Sequence, residues 1–509
     1  MAKYLGLDLS TQSLSAMIID DQSGEIICED SVNFGQELPG YNAPSGFVSG
    51  SSEGEVFSDP CMWLDAANIL FERLQDRTDF SQVAAICGSA QQHATVYLNS
   101  SFLSKIKSLD SSKTLKDNLT DCFSRKLSPI WMDNSTSEEC SEIAEAVGGN
   151  NSVLEKSGSF AIERFSGPQI RKFAKNEATS YEQTASIHLA SSFFCSVVSG
   201  ENASIDHGDG AGMNLMNLKT LNWDVELVNA TAPNLISKLP ALSPSDSKAG
   251  LVNSYFVEKF GFSSDCQVYV FSGDNPNSLI GCGGALPGTA IISLGTSDTF
   301  FAAMKNAISD PNGFGHVFGN PASGFMSLIC FRNGSLTREK IKDKFNLDWN
   351  AFSEAISETA ASIKLPWLID ELTPRVTASQ SSIDFLNASN DEKILREFIE
   401  GQFLNMLYHS QWMGETIEHV ILTGGASQNN EIAQIIADVF NAKIDRLEVS
   451  NSAALGAAMR ACQAHSNSSW ALINSKFIKP AEGKSLTPGS YNISGKMDQF
   501  KELLTKHTA

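Results

Sequence analysis

Residues 4–9 (YLGLDL) form a compact apolar run, and Leu14, Ala16 and Ile18 then alternate with polar neighbours. That period of two is the mark of a strand with one buried face. A turn at 20–24, ending in Gly24, leads into a third run at 25–28, so the N-terminus predicts a three-strand meander. Residues 33–60 are rich in Gly, Ser, Pro and Asn and predict a loop. Residues 83–87 (VAAIC) are continuously apolar, as in a strand covered on both faces, and a polar cluster, GSAQQH, follows at 88–93. In α/β sheets ligands bind at that carboxyl edge. Residues 100–127 carry many Ser and Lys with weak helical spacing, which predicts an insertion over the surface.

A second set of elements follows the turn-rich text DHGDGAG at 206–212 and the alternating stretch 213–218. Residues 268–271 (VYVF) predict a buried strand ending in Ser272, Gly273, Asp274, Asn275 and Pro276. Pro276 suits the first turn of a helix over 277–285. Leu286, Pro287 and Gly288 break that helix and mark a domain boundary. Beyond it, residues 291–304 repeat the opening pattern of apolar run, Gly/Ser/Thr/Asp turn and apolar run. Residues 420–423 predict a strand that meets Gly424 and Gly425. A helix then starts near Asn429 or Asn430, with Ile432, Ile435, Ile436, Val439 and Phe440 on one face. Residues 451–458 read as a small-residue helix packed closely on a neighbour, and the chain beyond about 466 is polar and weakly patterned.

Composition narrows the function classes. A chain of 509 residues exceeds what one core uses, so two domains are expected. With 37 basic against 58 acidic residues the net charge is −21, which argues against a nucleic-acid or anionic-membrane partner. Local amides and a metal ion can still hold an anionic small molecule. The ten cysteines form no CxxC pair and predict reduced, mostly buried thiols in a cytoplasmic setting. No targeting segment and no apolar run of membrane-spanning length is visible.

The two similar turns carry the chemistry. Amides and hydroxyls in such a turn can donate several hydrogen bonds to one phosphate, and an adjacent carboxylate can hold magnesium. One turn means little; two, each opening one half of the chain, point to a nucleotide gripped between two domains. Singly, each signal also has a plain structural reading. The first turn can be an ordinary hairpin, and the diglycine a close-packed helix start. His93 can be a hydrogen-bonded structural histidine, Arg164 half of a surface ion pair and Trp349 a core aromatic.

Ten segments in order decide between these readings: YLGLDLSTQS, GSAQQHATVY, SPIWMDNST, DGAGMNLM, FSGDNPNSL, ISLGTSDT, GHVFGNP, FRNGSLTREKI, TGGASQNN and NSAALGAA. Together they resemble the FGGY carbohydrate kinases, from Tyr4 to about Cys462. The resemblance implies an α/β fold of two actin-like (ribonuclease H-like) domains with a cleft between them. It places the N-terminal domain at 1–287, the C-terminal, nucleotide-binding domain at 288–480 and a tail at 481–509. It implies transfer of phosphate from ATP, with Mg2+, to a small-molecule sugar, D-xylulose, by a monomer or homodimer with no nucleic-acid or membrane partner. Asp274 corresponds to the family's general base and, with Asn275, Gln92, His93 and Arg164, to its sugar contacts. An ordinary carboxylate suits such a base, because the proton moves only as the transition state loosens. Asp8 corresponds to the magnesium-directed carboxylate. Ser10, Thr11 and Gln12 on one side, and Gly295, Thr296 and Ser297 on the other, correspond to the phosphate contacts. Gly424, Gly425, Ala426, Asn429 and Trp349 correspond to the adenosine site. Ala90, Ala94, His207 and Gly208 depart from the pattern without removing a catalytic group, and they leave another ketose (ribulose, sedoheptulose, deoxyxylulose) open as substrate. A non-catalytic sugar sensor and an actin-like chaperone or filament ATPase are the rival classes. The first has no reason to keep Asp8, Thr11, Asp274 and Thr296 together, and the second lacks a sugar pocket.

Overall fold

A computed structural model describes residues 2–447 and 451–508. The chain divides into two compact units, and no single cut separates them. The first comprises Met1–Gly281 with Val317–Phe325 and Asn451–Ile478; the second comprises Cys282–His316, Met326–Ser450 and Lys479–Ala509.

The first unit is built on the expected meander. Strands Lys3–Leu9, Ser13–Asp20 and Glu25–Asn33 pair antiparallel in sequence order. On its other side Lys3–Leu9 pairs parallel with Val83–Ala90, which in turn pairs parallel with Gln267–Tyr269 and Ser272–Gly273. Lys3–Leu9 is apolar on both faces because both are covered. Its Gly6 lies against the backbone of the helix Ser452–Ser466, where an added Cβ would sit 2.1 Å from the Ala454 carbonyl oxygen. The register sets Asp8 beside Ser89, and Ser89 beside Ser272, so the ends of three strands converge on one edge.

Two expectations need correction. The helix after the GDN segment spans Asp274–Gly281 rather than 277–285; it starts on the aspartate and ends at a glycine packed against another helix. Residues 100–127 are not a loose surface insertion. Phe102, Ile106, Leu115, Leu119 and Cys122 are buried, and the Leu115 N–H donates to Asn68 Oδ1 at 2.7 Å, tying the segment to the helix Pro60–Gln75. Within 33–60 the chain forms only short helical turns and two- or three-residue strands.

The second unit repeats the hairpin-plus-parallel-strand arrangement. Thr289–Leu294 pairs antiparallel with Asp298–Met304 and parallel with His419–Thr423, which pairs parallel with Lys443–Arg446. The predicted helix after the diglycine spans Asn430–Phe440, capped by Asn429, with its isoleucine face buried. All ten cysteines are free thiols, eight of them buried. Among the described residues no helix is long and apolar enough to cross a membrane.

Candidate active site

At the strand edge of the first unit, Asp8 is 3% exposed. Its Oδ2 accepts from the Ser10 hydroxyl at 2.5 Å and from Asn451 Nδ2 at 3.4 Å. Its Oδ1 is buried with no hydrogen-bond partner. Burial pushes the carboxyl's pKa up, against the hydrogen bonds from Ser10 and Asn451. The turn that follows is held by the Ser10 N–H donating to the Ser13 carbonyl at 2.9 Å. Thr11 Oγ1 accepts from the Trp131 indole N–H at 2.9 Å and donates to Gln91 Oε1 at 3.3 Å, while Gln12 is exposed. Trp131 is a site residue that the sequence reading passed over; it stood in plain view in the WMD segment.

Asp274 opens its helix one residue beyond the strand Ser272–Gly273. Burial first, and then the charge of Asp8, push its pKa up to about 7, with the backbone N–H groups of Asn275 and Gln92 holding it down. The ordinary carboxylate expected from sequence is therefore replaced by one poised near neutrality. Asn275 Nδ2 donates to Asp274 Oδ1 at 3.1 Å and to Gln92 Oε1 at 2.9 Å.

His93 is 6% exposed and sits at φ 71°, a conformation that most L residues avoid. Its ring stacks on Phe165 at 4.4 Å and its Nδ1 lies 2.8 Å from the Gly212 carbonyl. Burial, followed by the positive charge of Arg164, lowers its pKa to about 3, so the ring is neutral near pH 7. A neutral ring facing a carbonyl through Nδ1 carries its hydrogen there, which leaves Nε2 as an acceptor. Arg164 is half-buried just before the helix Ser166–Asn176, with its guanidinium 5.6 Å from the Phe165 ring. The first unit thus brings Asp8, Gln92, His93, Arg164, Asp274 and Asn275 into one neighbourhood.

The second unit carries a cavity of about 740 Å³ lined by Gly295, Thr296, Trp349, Gly425, Ala426 and Asn429 among others. Trp349 is 46% exposed on this wall, with the Lys342 ammonium 5.3 Å from its ring, so it is not a core aromatic. Gly424 turns the chain at φ 84°, where a Cβ would meet the Leu294 carbonyl oxygen at 2.5 Å. Gly424 and Ser297 are not among the lining residues. Asn429 lines the cavity, but its side chain is committed: Oδ1 caps Ile432 N–H at 3.0 Å and Nδ2 donates to Ser353 Oγ at 2.7 Å. Glu339 and Ser353 also line it; both lie in helices whose polar faces gave no signal in the sequence. Behind the Gly295–Ser297 turn, buried Arg338 grips Asp298 through two hydrogen bonds of 2.8 and 2.7 Å.

Residues 3–281 match the family model of the FGGY carbohydrate kinase N-terminal domain, and residues 290–465 match its C-terminal domain. Xylulose kinase 2 of Arabidopsis thaliana is 37% identical over 90% of this chain and 86% of its own length. Xylulose kinase of Rattus norvegicus is 36% identical over 90% and 87%. The crystal structure of xylulose kinase from Rhodospirillum rubrum superposes with a TM-score of 0.81 at 17% identity, covering 99% of this chain and 98% of that one, which speaks to fold alone. With both domain models matched in order over most of its length, the chain belongs to the FGGY family of carbohydrate kinases.

Proposed function

We propose that this carbohydrate kinase phosphorylates D-xylulose with ATP, giving D-xylulose 5-phosphate and ADP. The observation that carries the reading is Asp274, a carboxyl poised near neutrality beside Asn275, Gln92 and the neutral acceptor of His93. The chemistry needs little more than this. Asp274 accepts the proton of a sugar hydroxyl as its oxygen bonds to the γ-phosphorus, and the bond from that phosphorus to the ADP oxygen breaks. His93 Nε2 accepts from a second hydroxyl, and Arg164 offers a fixed fork of donors. Thr11 and Gln12 supply donors for the transferred phosphate, while Ser10 shapes their turn, its hydroxyl committed to Asp8 and its N–H to the Ser13 carbonyl. Gly295, Thr296 and Ser297 supply donors for the nucleotide's phosphates, while adenosine rests between Trp349 and the Gly424–Ala426 turn.

Asp8 fits a magnesium ion: its buried Oδ1 has no partner, and a single carboxylate suits an ion that keeps most of its waters. When bound, the ion would neutralise phosphate charge. The xylulose kinases among the relatives support the choice of sugar, and ten unpaired thiols fit a cytoplasmic setting.

The test is ADP release with D-xylulose, D-ribulose, sedoheptulose, glycerol and no sugar. D-Xylulose is expected to give the dominant rate. A dominant rate with another ketose would replace the substrate, and sugar-independent behaviour with ATP still bound would remove kinase activity from the reading. Asp274→Asn is expected to lose turnover by about 10³-fold or more while keeping ATP affinity; substantial residual turnover would take Asp274 out of the base role.

A further inference from the structure

Arg164 stands in the loop between the helices Asn150–Ser157 and Ser166–Asn176, and a loop residue keeps one direction only where its backbone is tied down. The peptide carbonyl directly before it, that of Glu163, accepts from two buried side chains: the Thr136 hydroxyl at 2.6 Å and Gln169 Nε2 at 3.0 Å. Thr136 is 0% exposed and Gln169 2%. Thr136 also precedes the helix Ser137–Ala146, where a threonine hydroxyl commonly accepts from the first turn, yet it makes no such cap. Its hydroxyl serves the Glu163 carbonyl instead. Gln169 Nε2 donates its other hydrogen to Asp133 Oδ1 at 2.7 Å. Asp133, buried in turn, is fixed by the Val56 N–H on Oδ2 at 3.0 Å, and by the Ser135 N–H and hydroxyl on Oδ1 at 3.0 and 2.6 Å.

We infer that Gln169 is a positioning residue for Arg164: it ties the Glu163 carbonyl to a buried carboxyl group, so that the guanidinium leaves the backbone in one direction. The amide's orientation follows from its neighbours. One is a peptide carbonyl, and the other is a carboxyl oxygen that already accepts the Ser135 N–H, so the NH2 end must face both. The Glu163 carbonyl shares a peptide plane with the Arg164 nitrogen, and holding that plane sets where the arginine side chain begins. Direction matters for a guanidinium, whose donors form a rigid fork. Phe165, the next residue, stacks on the His93 ring, so one clamped loop sets two sugar-directed groups.

This inference rests on the proposed role of Arg164 as a sugar contact for its kinetic readout, but the clamp can be read without substrate. Gln169→Met keeps the length and removes both hydrogens; neither acceptor is orphaned, because Thr136 and Ser135 still donate. Its KM for D-xylulose is expected to rise about tenfold, with the KM for ATP within about twofold. Thr136→Val removes the other bond to the same carbonyl and is expected to raise the sugar KM about threefold; it carries the test if Gln169→Met does not fold. A residue that only stabilised the fold would lower the melting temperature and leave the KM of the folded enzyme unchanged. The decisive comparison uses Arg164→Met as background, where adding Gln169→Met is expected to change the sugar KM by less than about twofold. The full rise in that background overturns the inference, as does an unchanged sugar KM in both single variants. Without substrate, brief trypsin digestion reads the loop. Cleavage after Arg164, identified by fragment mass, is expected to be about tenfold faster in Gln169→Met than in wild type, and an equal rate overturns the clamp. An inactive wild-type enzyme on every sugar overturns the kinase reading instead, and the trypsin comparison still decides the clamp.

Discussion

At the scale of single residues, the chemistry depends on how deeply two ordinary side chains are buried. Asp274 carries a pKa near 7 because desolvation and Asp8 oppose its charge. Below that pH the carboxyl is protonated and cannot accept, so kcat/KM for the sugar is expected to fall about tenfold per pH unit below about 7 and level off above it. A pH–rate profile flat from about 5 to 8 would contradict this. The same shift has a cost in stability. With a folded pKa above the ordinary 3.8, the folded state holds the proton between the two, and stability falls as pH rises through that window. Asp274→Asn is therefore expected to be inactive and to melt higher than wild type above pH 7, with the gap closing at acid pH. His93 works in the opposite sense, held neutral so that Nε2 accepts. His93→Phe retains the stack on Phe165 and removes the acceptor; the KM for the sugar is expected to rise about tenfold, with a smaller change in kcat. The identities of these residues were legible in QQH and GDN. Their protonation states were not, because desolvation depends on neighbours hundreds of positions away.

At the scale of elements, the site is held by two close contacts that composition hints at and packing explains. The helix Asp274–Gly281 lies against Ser452–Ser466 backbone to backbone: a Cβ on Gly456 would sit 1.9 Å from the Asn277 carbonyl oxygen, and one on Gly281 1.9 Å from that of Ser452. Arg460 of the same helix donates to Asn277 Oδ1 at 2.9 Å and to the Val270 carbonyl at 2.8 Å. Gly456→Val is expected to destabilise the first unit by about 3 kcal/mol in chemical denaturation and to depress kcat through Asp274. In the second unit the Gly295–Ser297 turn leans on the buried Asp298–Arg338 pair. Arg338→Met leaves a buried carboxylate unpaired, with an expected loss of about 3–5 kcal/mol, whereas Asp298→Leu combined with Arg338→Met should lose less. Equal losses in the two variants would show that the pair contributes only volume. The small-residue run 451–458 announced a close helix contact; its partner could not be read, since it lies about 180 residues earlier.

At the scale of the whole molecule, the chain does not respect a single boundary. Asn451–Ile478 returns to the first unit, and Lys479–Ala509 belongs to the second. The final helix Ile493–Thr508, part of a segment that reads as weakly patterned, buries Phe500 and Met497 and brings Lys496 to within 3.0 Å of the fully buried Glu400. Removing residues 493–509 is expected to cost about 3–6 kcal/mol from lost apolar burial, visible as a lower melting temperature; an unchanged melt would make the helix dispensable. By itself the sequence determined the two-fold repetition of strand, Gly/Ser/Thr/Asp turn and strand, the strand-end positions of Gln92, His93, Asp274 and the diglycine, and with them the family. These are local signals: period-two alternation, turn residues and short spacings need only neighbouring positions to be read. Only the tertiary structure decided that Asp274 sits near neutrality, that His93 accepts rather than donates, that the Asn429 amide is committed to Ser353, and that 100–127 is folded. Each of these turns on burial or on partners far apart in the chain, and such properties arise only once the chain has closed on itself.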